Sequence, residues 1–155
     1  MTVEHIRKTT NAKLNPKKKY ELGQFMTPSV IAEYMASLFD DHKKEKKLLD
    51  CGAGIGSLTI SAAKKLNNIR LVDLWEIDPI MQEHLEINMH TINTNFSLYA
   101  QAFILGAVEN ISSNKRERYT HAIINPQYKK INSNSEHRRE LRKVGIETVN
   151  LYSAF

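Results

Sequence analysis

The feature that most constrains the fold is a glycine-rich turn, residues 48–59, that joins an apolar segment to one with helical periodicity. Leu48 and Leu49 are typical of the end of a buried strand, and Asp50 follows where that strand meets the turn. Three alternate glycines allow a positive φ and a close approach of a ligand to the backbone: Gly52, Gly54 and Gly56. An acidic residue at the carboxyl end of a strand, beside such a turn, indicates the ligand crevice of an open α/β sheet.

The spacing of these glycines does not identify the ligand by itself. The pattern is G-x-G-x-G, which is one residue tighter than the G-x-G-x-x-G of nicotinamide and flavin dinucleotide sites. A single glycine-rich turn is weak evidence for function. Its interpretation therefore depends on residues elsewhere in the chain.

The composition is that of an ordinary globular domain with a basic surface. The 155 residues suffice for one domain with a modest core, and 22 Lys and Arg against 17 Asp and Glu give a formal net charge of +5. This excess suits a polyanionic partner, although a merely soluble basic surface explains it equally well. Cys51 is the only cysteine, which excludes an internal disulfide and predicts a reducing compartment. Without a membrane-length apolar run or a signal-peptide core, we expect a cytoplasmic protein.

Predicted strands and helices alternate along most of the chain. Strands are expected at residues 47–51, at 69–75, within 96–105 and at 119–124, and helices are expected after residue 28, the glycine turn, residue 78 and residue 105. Thr27 before Pro28, and Asp78 before Pro79, are each typical of a helix start with a capping side chain and a proline in the first turn. The alternation predicts a parallel sheet with helical crossovers.

The two ends of the chain are expected to be less regular. Residues 1–20 carry six lysines and arginines with few apolar side chains, so we expect a basic flexible arm, with contact to phosphates as the sharper alternative. Residues 129–145 are rich in Asn, Ser and charge and are expected to form a loop. Residues 147–155 are expected to start another helix, so the sheet is expected to be incomplete after its fourth strand.

Two further strand ends carry side chains suited to ligand binding. Glu76 follows the second strand, where a carboxylate accepts hydrogen bonds from both hydroxyls of a ribose; helix capping or a plain surface position is the alternative. Asn-Pro-Gln-Tyr at residues 125–128 follows the fourth strand, for which a plain turn is the alternative. Because parallel strands end at one edge, these residues are expected near Asp50.

These motifs occur in one order, and the combination resembles the adenine-specific DNA methyltransferases of restriction–modification systems, in the group whose cofactor motif precedes its catalytic motif. The matching segments are residues 23–28 (Gly-Gln-Phe-Met-Thr-Pro), 50–56, Glu76, 125–128 and 150–155 (Asn-Leu-Tyr-Ser-Ala-Phe). The resemblance implies a Rossmann-like class I S-adenosylmethionine-dependent methyltransferase core with three layers and a mostly parallel sheet. Residues 21–155 would be a partial catalytic domain from which the target-recognition region is absent.

The resemblance also implies a cofactor and a set of site residues. The cofactor would be S-adenosylmethionine, and the reaction would be methyl transfer to N6 of adenine in double-stranded DNA. The cofactor-binding residues would be Phe25 and Thr27 beside the methionine tail, Asp50 with Gly52, Gly54 and Gly56 at the methionine part, Glu76 at the ribose, and Ile77 and Phe103 at the adenine. The target base would be received by the catalytic residues Asn125, Pro126 and Tyr128. No metal site is expected.

The chemistry of the implied catalytic loop can be argued from its residue types. The amino group of adenine is a poor nucleophile because its lone pair is delocalised into the ring. Hydrogen bonds from that group to the Asn125 side-chain oxygen and the Pro126 carbonyl would localise the lone pair, so alignment and electrostatics are the main demands on the protein. Tyr128 offers an aromatic face on which an extruded base can stack.

Two positions depart from the family pattern. Gln127 stands where a proline is usual, and Ala102 stands where an acidic residue often precedes the phenylalanine that is here Phe103. Together with the expected truncation, these departures favour one alternative, a catalytically silent cofactor- or DNA-binding fragment. A second alternative is a related methyltransferase that acts on a glutamine amide or on RNA adenine, because an Asn-Pro loop presents a planar amino group in each case.

Basic residues around the catalytic loop suggest how DNA is held. They are Lys129, Lys130, Arg138, Arg139, Arg142 and Lys143, for which phosphate contact and a solvated loop are equally good interpretations. Besides double-stranded DNA, we expect restriction–modification subunits or self-association through an unpaired edge of the fourth strand.

Overall fold

The computed structural model describes residues 3–13, 16–17, 25–42, 44–112 and 119–154. Four strands form one parallel sheet in the order β3-β2-β1-β4: β1 (Lys46–Cys51), β2 (Ile69–Trp75), β3 (Phe96–Tyr99) and β4 (His121–Ala122). The helices are α1 (Val3–Lys13), α2 (Ser29–Ser37), α3 (Ser57–Lys65), α4 (Pro79–Met89), α5 (Phe103–Ser112) and α6 (Glu136–Lys143), with a 3-10 turn at Tyr152–Ala154.

Apolar side chains cover both faces of the sheet. Leu48 of β1 belongs to a cluster with Leu58 of α3 and Leu85 of α4, whereas the next residue, Leu49, packs on the opposite face with Phe103 of α5. A strand that is buried on both faces is typical of a parallel sheet between helical layers. The predicted three-layer α/β architecture with a parallel sheet is therefore confirmed.

The parallel register brings the carboxyl ends of the strands to one edge. Cys51, the last residue of β1, pairs with Trp75, the last residue of β2, and Trp75 pairs with Tyr99 at the end of β3. Leu49 of β1 pairs with Ala122 at the end of β4. The segments that follow these strands consequently leave the sheet side by side.

The start of α2 corrects one prediction. Thr27 was expected to cap this helix, but the helix begins at Ser29 with Pro28 as its cap residue. The carboxylate of Glu4 in α1 instead accepts hydrogen bonds from the Ser29 amide (3.2 Å) and from the Ser29 hydroxyl (2.9 Å). The Arg7 guanidinium and the Ser29 donors hold the pKa of Glu4 at about 2. An anion at the N-terminus of a helix is stabilised by the exposed amide groups there.

Helix α1 also corrects the expectation of a flexible arm at residues 1–20. Val3 and Ile6 of this helix pack against the buried side chains Ile55 and Met81, and Thr10 is buried. The rest of that segment, apart from residues 16–17, lies outside the described residues.

Two segments after β4 also differ from prediction. The expected loop at residues 129–145 contains α6, in which Ser135 is the cap residue and its hydroxyl accepts a hydrogen bond from the Arg138 amide. The expected helix at residues 147–155 is reduced to the 3-10 turn, preceded by an antiparallel bridge between Lys130 and Asn150. Strand β3 lies within the predicted range 96–105, whereas α5 begins at Phe103, before the predicted residue 106.

Within the described ranges, no helix is long and apolar enough to cross a membrane.

Candidate functional site

The Asp50 side chain lies fully buried under the glycine turn. Its Oδ2 accepts a hydrogen bond of 2.6 Å from the Thr59 hydroxyl, and its Oδ1 has no hydrogen-bond partner among the described residues. Burial raises the pKa of Asp50 to about 7, the Thr59 hydroxyl opposes that shift, and the charge of Glu76 adds to it. The Oδ1 atom of this carboxyl group can therefore still accept a hydrogen bond from a ligand.

Glu76 binds the turn from the end of β2. One carboxylate oxygen accepts the Gly54 amide (2.8 Å) and the other accepts the Asp78 amide (2.8 Å). Burial raises the pKa of Glu76, although these backbone donors favour the charged form. A carboxylate has about four acceptor positions, so acceptor capacity remains for a hydroxyl group of a ligand.

The glycines have the conformations that their spacing predicted. Gly52, Gly54 and Gly56 all have positive φ values, of 79°, 57° and 84°. A Cβ built on Gly52 or Gly54 would meet no atom within 4 Å, which means that the turn borders open space there. At Gly56 a Cβ would lie 2.9 Å from a terminal methyl group of Leu85, which would have to shift, and the positive φ disfavours any residue with a Cβ there.

A narrow cavity of about 40 Å³ lies between the turn and the segment before α2. It is lined by Phe25, Met26, Thr27, Gly52, Ala53, Gly54, Ile55, Ser57, Leu58 and Asn125. The hydroxyl of Ser57, the first residue of α3, is buried without a hydrogen-bond partner among the described residues, and the cap residue Gly56 has no side chain to satisfy the first amides of that helix. Unsatisfied donors at a helix N-terminus favour an anionic ligand group such as a carboxylate.

The Asn125 side chain connects this cavity to the end of β4. Its Nδ2 donates to the Phe25 carbonyl (3.1 Å) and to the Thr27 hydroxyl (3.1 Å). Because a carbonyl can only accept, the contact with Phe25 fixes which end of the amide faces the segment. The Asn125 side-chain oxygen is thereby directed away from these two groups and remains an acceptor.

A larger cavity of about 220 Å³ lies on the β2 and β3 side of the turn. Its lining includes Gly52, Trp75, Glu76, Ile77, Gln101, Ala102, Phe103, Gln127, Ile131, His137 and Leu151. The Phe103 ring meets the buried Trp75 ring edge to face at 5.5 Å, and Ile77 is half-exposed. Aromatic and aliphatic walls with a buried carboxylate at one end suit a nucleoside.

The structure groups the predicted site residues in three sets. Phe25, Thr27 and Asn125 line the narrow cavity, Glu76, Ile77 and Phe103 line the larger one, and Gly52 lines both. Gly54 lines the narrow cavity alone. Asp50, Gly56 and Pro126 are outside both linings, and Tyr128 belongs to a separate open groove.

Tyr128 is stacked on a residue that the sequence did not single out. Its ring is nearly parallel to that of Tyr152, with an interplanar angle of 16° and ring centroids 5.2 Å apart. Ser57 and Gln101 were likewise missed, since single polar residues beside a glycine turn or a strand end give no periodic signal. The one signal for Tyr152 was the Asn-Leu-Tyr segment at residues 150–152.

The basic residues near the predicted catalytic loop, residues 125–128, differ in their exposure and in their ion pairs. Arg138 is buried and binds the Glu147 carboxylate and the Thr148 carbonyl, and Arg142 binds the same Glu147 at 2.9 Å. Lys143 pairs with Glu140. The Arg142 and Arg138 guanidinium groups hold the pKa of Glu147 at about 2. Lys129 and Lys130 remain exposed beside Tyr128, whereas Arg138 is a structural residue.

No group of three or more His, Cys, Asp or Glu side chains is arranged to hold a metal ion in the part of the chain that the structure describes.

Comparison with protein families gives a match over most of the chain. Residues 10–149 match the family model described as N-6 DNA Methylase.

Two curated relatives resemble the chain in sequence. It is 47% identical to the Type II methyltransferase M.BsuBI of Bacillus subtilis and 36% identical to the Type II methyltransferase M.PstI of Providencia stuartii. Each alignment covers 99% of this chain and 33% of the relative. The chain thus spans about a third of the length of these relatives.

Solved structures share the fold. A candidate class I S-adenosylmethionine-dependent methyltransferase from Listeria monocytogenes superimposes with a TM-score of 0.60 at 11% identity, over 96% of this chain and 44% of that one. A candidate RNA methyltransferase from Pyrococcus horikoshii gives a TM-score of 0.55 at 24% identity, over 87% and 64%. At these identities the similarity supports the fold alone.

Proposed function

The chain belongs to the N-6 DNA methylase family, and from that premise we propose that it is the catalytic part of an enzyme that methylates N6 of adenine in double-stranded DNA. The observation that carries this proposal is the hydrogen bonding of Asn125. Its amide nitrogen is held by the Phe25 carbonyl and the Thr27 hydroxyl beside the glycine turn, so its oxygen is available to a substrate amino group.

S-adenosylmethionine is the cofactor, and it supplies an electrophilic methyl group on a sulfonium. Several features support the fit: the free Oδ1 of Asp50, the unpaired hydroxyl of Ser57, and the open backbone at Gly52 and Gly54. Asp50 and the turn, with Phe25 and Thr27, hold the methionine part. Glu76 accepts the ribose hydroxyls, and Ile77 and Phe103 enclose the adenine in the larger cavity.

The target base is received at the end of β4. The Asn125 side-chain oxygen and the Pro126 carbonyl accept the two amino hydrogens of adenine, which localises the nitrogen lone pair toward the methyl group. Tyr128 stacks on the extruded base. The protein contributes position and electrostatics, and neither a covalent nucleophile nor a metal is needed for this step.

A second candidate, a catalytically silent cofactor- or DNA-binding chain, is favoured by one observation. Gln127 lines the larger cavity and lies next to the Pro126 carbonyl. Its amide competes for hydrogen bonds there, and it lacks the restraint that a proline places on the preceding residue.

The partners follow from the same proposal. Double-stranded DNA is the substrate, within a restriction–modification system in the cytoplasm. Strand β4 pairs with β1 through two residues, so its other side offers an edge for a further subunit or a second copy of the chain.

Calorimetric titration with S-adenosylmethionine, followed by an assay of labelled methyl transfer to mixed-sequence double-stranded DNA, tests the proposal. We expect binding and label in adenine N6, with Asn125→Ala keeping the binding and losing the transfer. Absence of cofactor binding would overturn the proposal, and binding without transfer would favour the silent alternative.

A further inference from the structure

Tyr128 and Tyr152 form an exposed aromatic pair beside the catalytic loop. Tyr128 is 68% exposed and Tyr152 is 52% exposed, although the two rings stack on one another. We propose that the two tyrosines together form a stacking site for an unpaired nucleobase of DNA, which makes Tyr152 a second base-contacting residue. This inference rests on the proposed function, because the base that enters is the one delivered to Asn125.

The position of Tyr152 is set by backbone contacts. The Ile131 amide donates to the Val149 carbonyl (2.9 Å), and the Leu151 amide donates to the Lys129 carbonyl (2.7 Å). The segment with Tyr152 is thus joined in antiparallel fashion to the segment that follows Tyr128, and the bridge at Lys130 and Asn150 lies between them.

Side-chain contacts also hold the segment that carries Tyr152. Arg138 of α6 is buried and binds both the Glu147 carboxylate and the Thr148 carbonyl. The Asn150 side-chain oxygen accepts the Ser153 amide at 2.8 Å. The second tyrosine is therefore presented by an ordered scaffold, which lowers the entropy lost when a ligand binds.

The ring geometry suits a flat aromatic ligand. Planes at 16° with centroids 5.2 Å apart describe an offset stack, in which each ring keeps much of its face open. Because the two planes are nearly parallel, one base stacks on the outer face of Tyr128 with Tyr152 behind that ring, and the outer face of Tyr152 remains for a neighbouring base. Stacking accepts any base, so the pair adds affinity without selecting the sequence.

Positive charge lies next to the pair. An open groove is lined by Tyr128, Lys129, Lys130, Asn150 and Tyr152, so two exposed lysines belong to the same groove as the aromatic pair. Aromatic side chains interleaved with basic ones are the usual surface for single-stranded nucleic acid, since bases stack while phosphates meet the cations. This charge complementarity identifies DNA, rather than an apolar protein segment, as the occupant.

The test measures fluorescence anisotropy of a short fluorescein-labelled oligodeoxyadenylate mixed with the chain. Tyr152→Leu should weaken binding roughly tenfold, whereas Tyr152→Phe, which keeps the ring, should bind as the parent does. Tyr34→Leu is the matched control, because Tyr34 is 65% exposed and lies on α2, outside this groove. Lys130→Gln should reduce the salt dependence of binding by about 0.7 in the log–log slope.

A second probe reports stacking directly. With 2-aminopurine in the oligonucleotide, binding to the parent should quench its fluorescence, and Tyr152→Leu should remove part of that quenching. Unchanged or tighter binding of Tyr152→Leu, or no binding by the parent chain, overturns the inference. Titration with S-adenosylmethionine is run on the same samples. Oligonucleotide binding that depends on Tyr152, without cofactor binding, would retain the stacking site while the proposed function fails.

Discussion

The two ends of the site, the glycine turn and the end of β4, differ in how far their side chains are buried and held by hydrogen bonds. At the glycine turn, Asp50 is fully buried and Glu76 is 6% exposed, and each carboxylate is held by hydrogen bonds. At the end of β4, Asn125 is half-buried and Tyr128 is 68% exposed, beside a strand that pairs through two residues. The proposed function accounts for this difference, because a small cofactor can be enclosed by one chain, whereas a DNA target would contribute its own surface to the site.

This difference indicates how substitutions should divide. Changes at the turn should alter cofactor affinity, and changes near Asn125 should alter methyl transfer while cofactor affinity remains. Cofactor affinity and methyl transfer, measured on the same variant, therefore distinguish the two ends.

The largest effect is expected for Glu76→Ala. The substitution removes the acceptor proposed for the ribose hydroxyls and leaves the Gly54 and Asp78 amides without their carboxylate. Hydrogen bonds to a charged group each contribute about 1.5–3 kcal/mol, so affinity for S-adenosylmethionine should fall about a hundredfold or more in calorimetry.

Glu83→Ala, on the exposed side of α4, is the matched control and should bind as the parent does. Thermal unfolding of both variants separates loss of binding from loss of fold. If Glu76→Ala and Asp50→Ala both kept the parental affinity for S-adenosylmethionine, the assignment of the glycine turn as the cofactor-binding end would be wrong.

The next effect concerns Gln127→Pro, which should raise methyl transfer by about a hundredfold at unchanged cofactor affinity. A proline holds the preceding residue extended, so the Pro126 carbonyl would be positioned before the base arrives, and small misplacements of such groups change rates by that order. The comparison measures labelled methyl transfer to double-stranded DNA and calorimetric cofactor affinity for the parent and for Gln127→Pro. Equal and substantial transfer by both would show that glutamine is tolerated at this position.

The variant Thr27→Val tests whether Thr27 acts in cofactor binding or in the orientation of Asn125. The hydroxyl accepts a hydrogen bond from Asn125, and its loss should leave the amide less well oriented. We expect transfer to fall about fivefold to tenfold, and Thr27→Ser to restore it, since one hydrogen bond contributes about 1 kcal/mol. A fall in cofactor affinity as large as the fall in rate would instead place Thr27 at the methionine tail alone.

The contact that this variant tests also shows what the sequence could not predict. Thr27 and Asn125 are 98 positions apart, and only the folded chain joins them. Local signals were sufficient for β2, predicted and found at residues 69–75, and for the start of α4, where the Asp78 side chain caps the helix before Pro79. Strand ends followed from the alternation of strands and helices, which placed Glu76 near the turn.

Helices without an apolar period were missed. In α6 the buried residues are Arg138 and Leu141, so no repeating apolar face marks the helix. Helix α1 is held by the packing of Val3 and Ile6 and by the contact of Glu4 with Ser29, tertiary interactions that composition cannot reveal. In both cases the charged residues were assigned to solvent or to phosphate contact, although Glu4 and Arg138 each bind a specific partner within the chain.

The last predicted effect concerns stability and not activity, and it is a pH dependence that originates at the turn. Burial raises the pKa of Asp50 from its ordinary value of 3.8 to about 7, so between these values the folded chain holds a proton that the unfolded chain has lost. The stability from this group is complete below about pH 4 and is lost as the pH rises through about 7. Asp50→Asn cannot lose that proton, so above about pH 8 it should melt roughly ten degrees higher than the parent, with the difference vanishing near pH 4. Melting curves across this range, with Glu83→Gln as a control for the lost charge, measure the effect. A constant difference in melting temperature between Asp50→Asn and the parent at every pH would mean that the Asp50 carboxyl does not titrate between pH 4 and pH 8. The contrast in burial between the glycine turn and the end of β4 would then be smaller than the structure indicates.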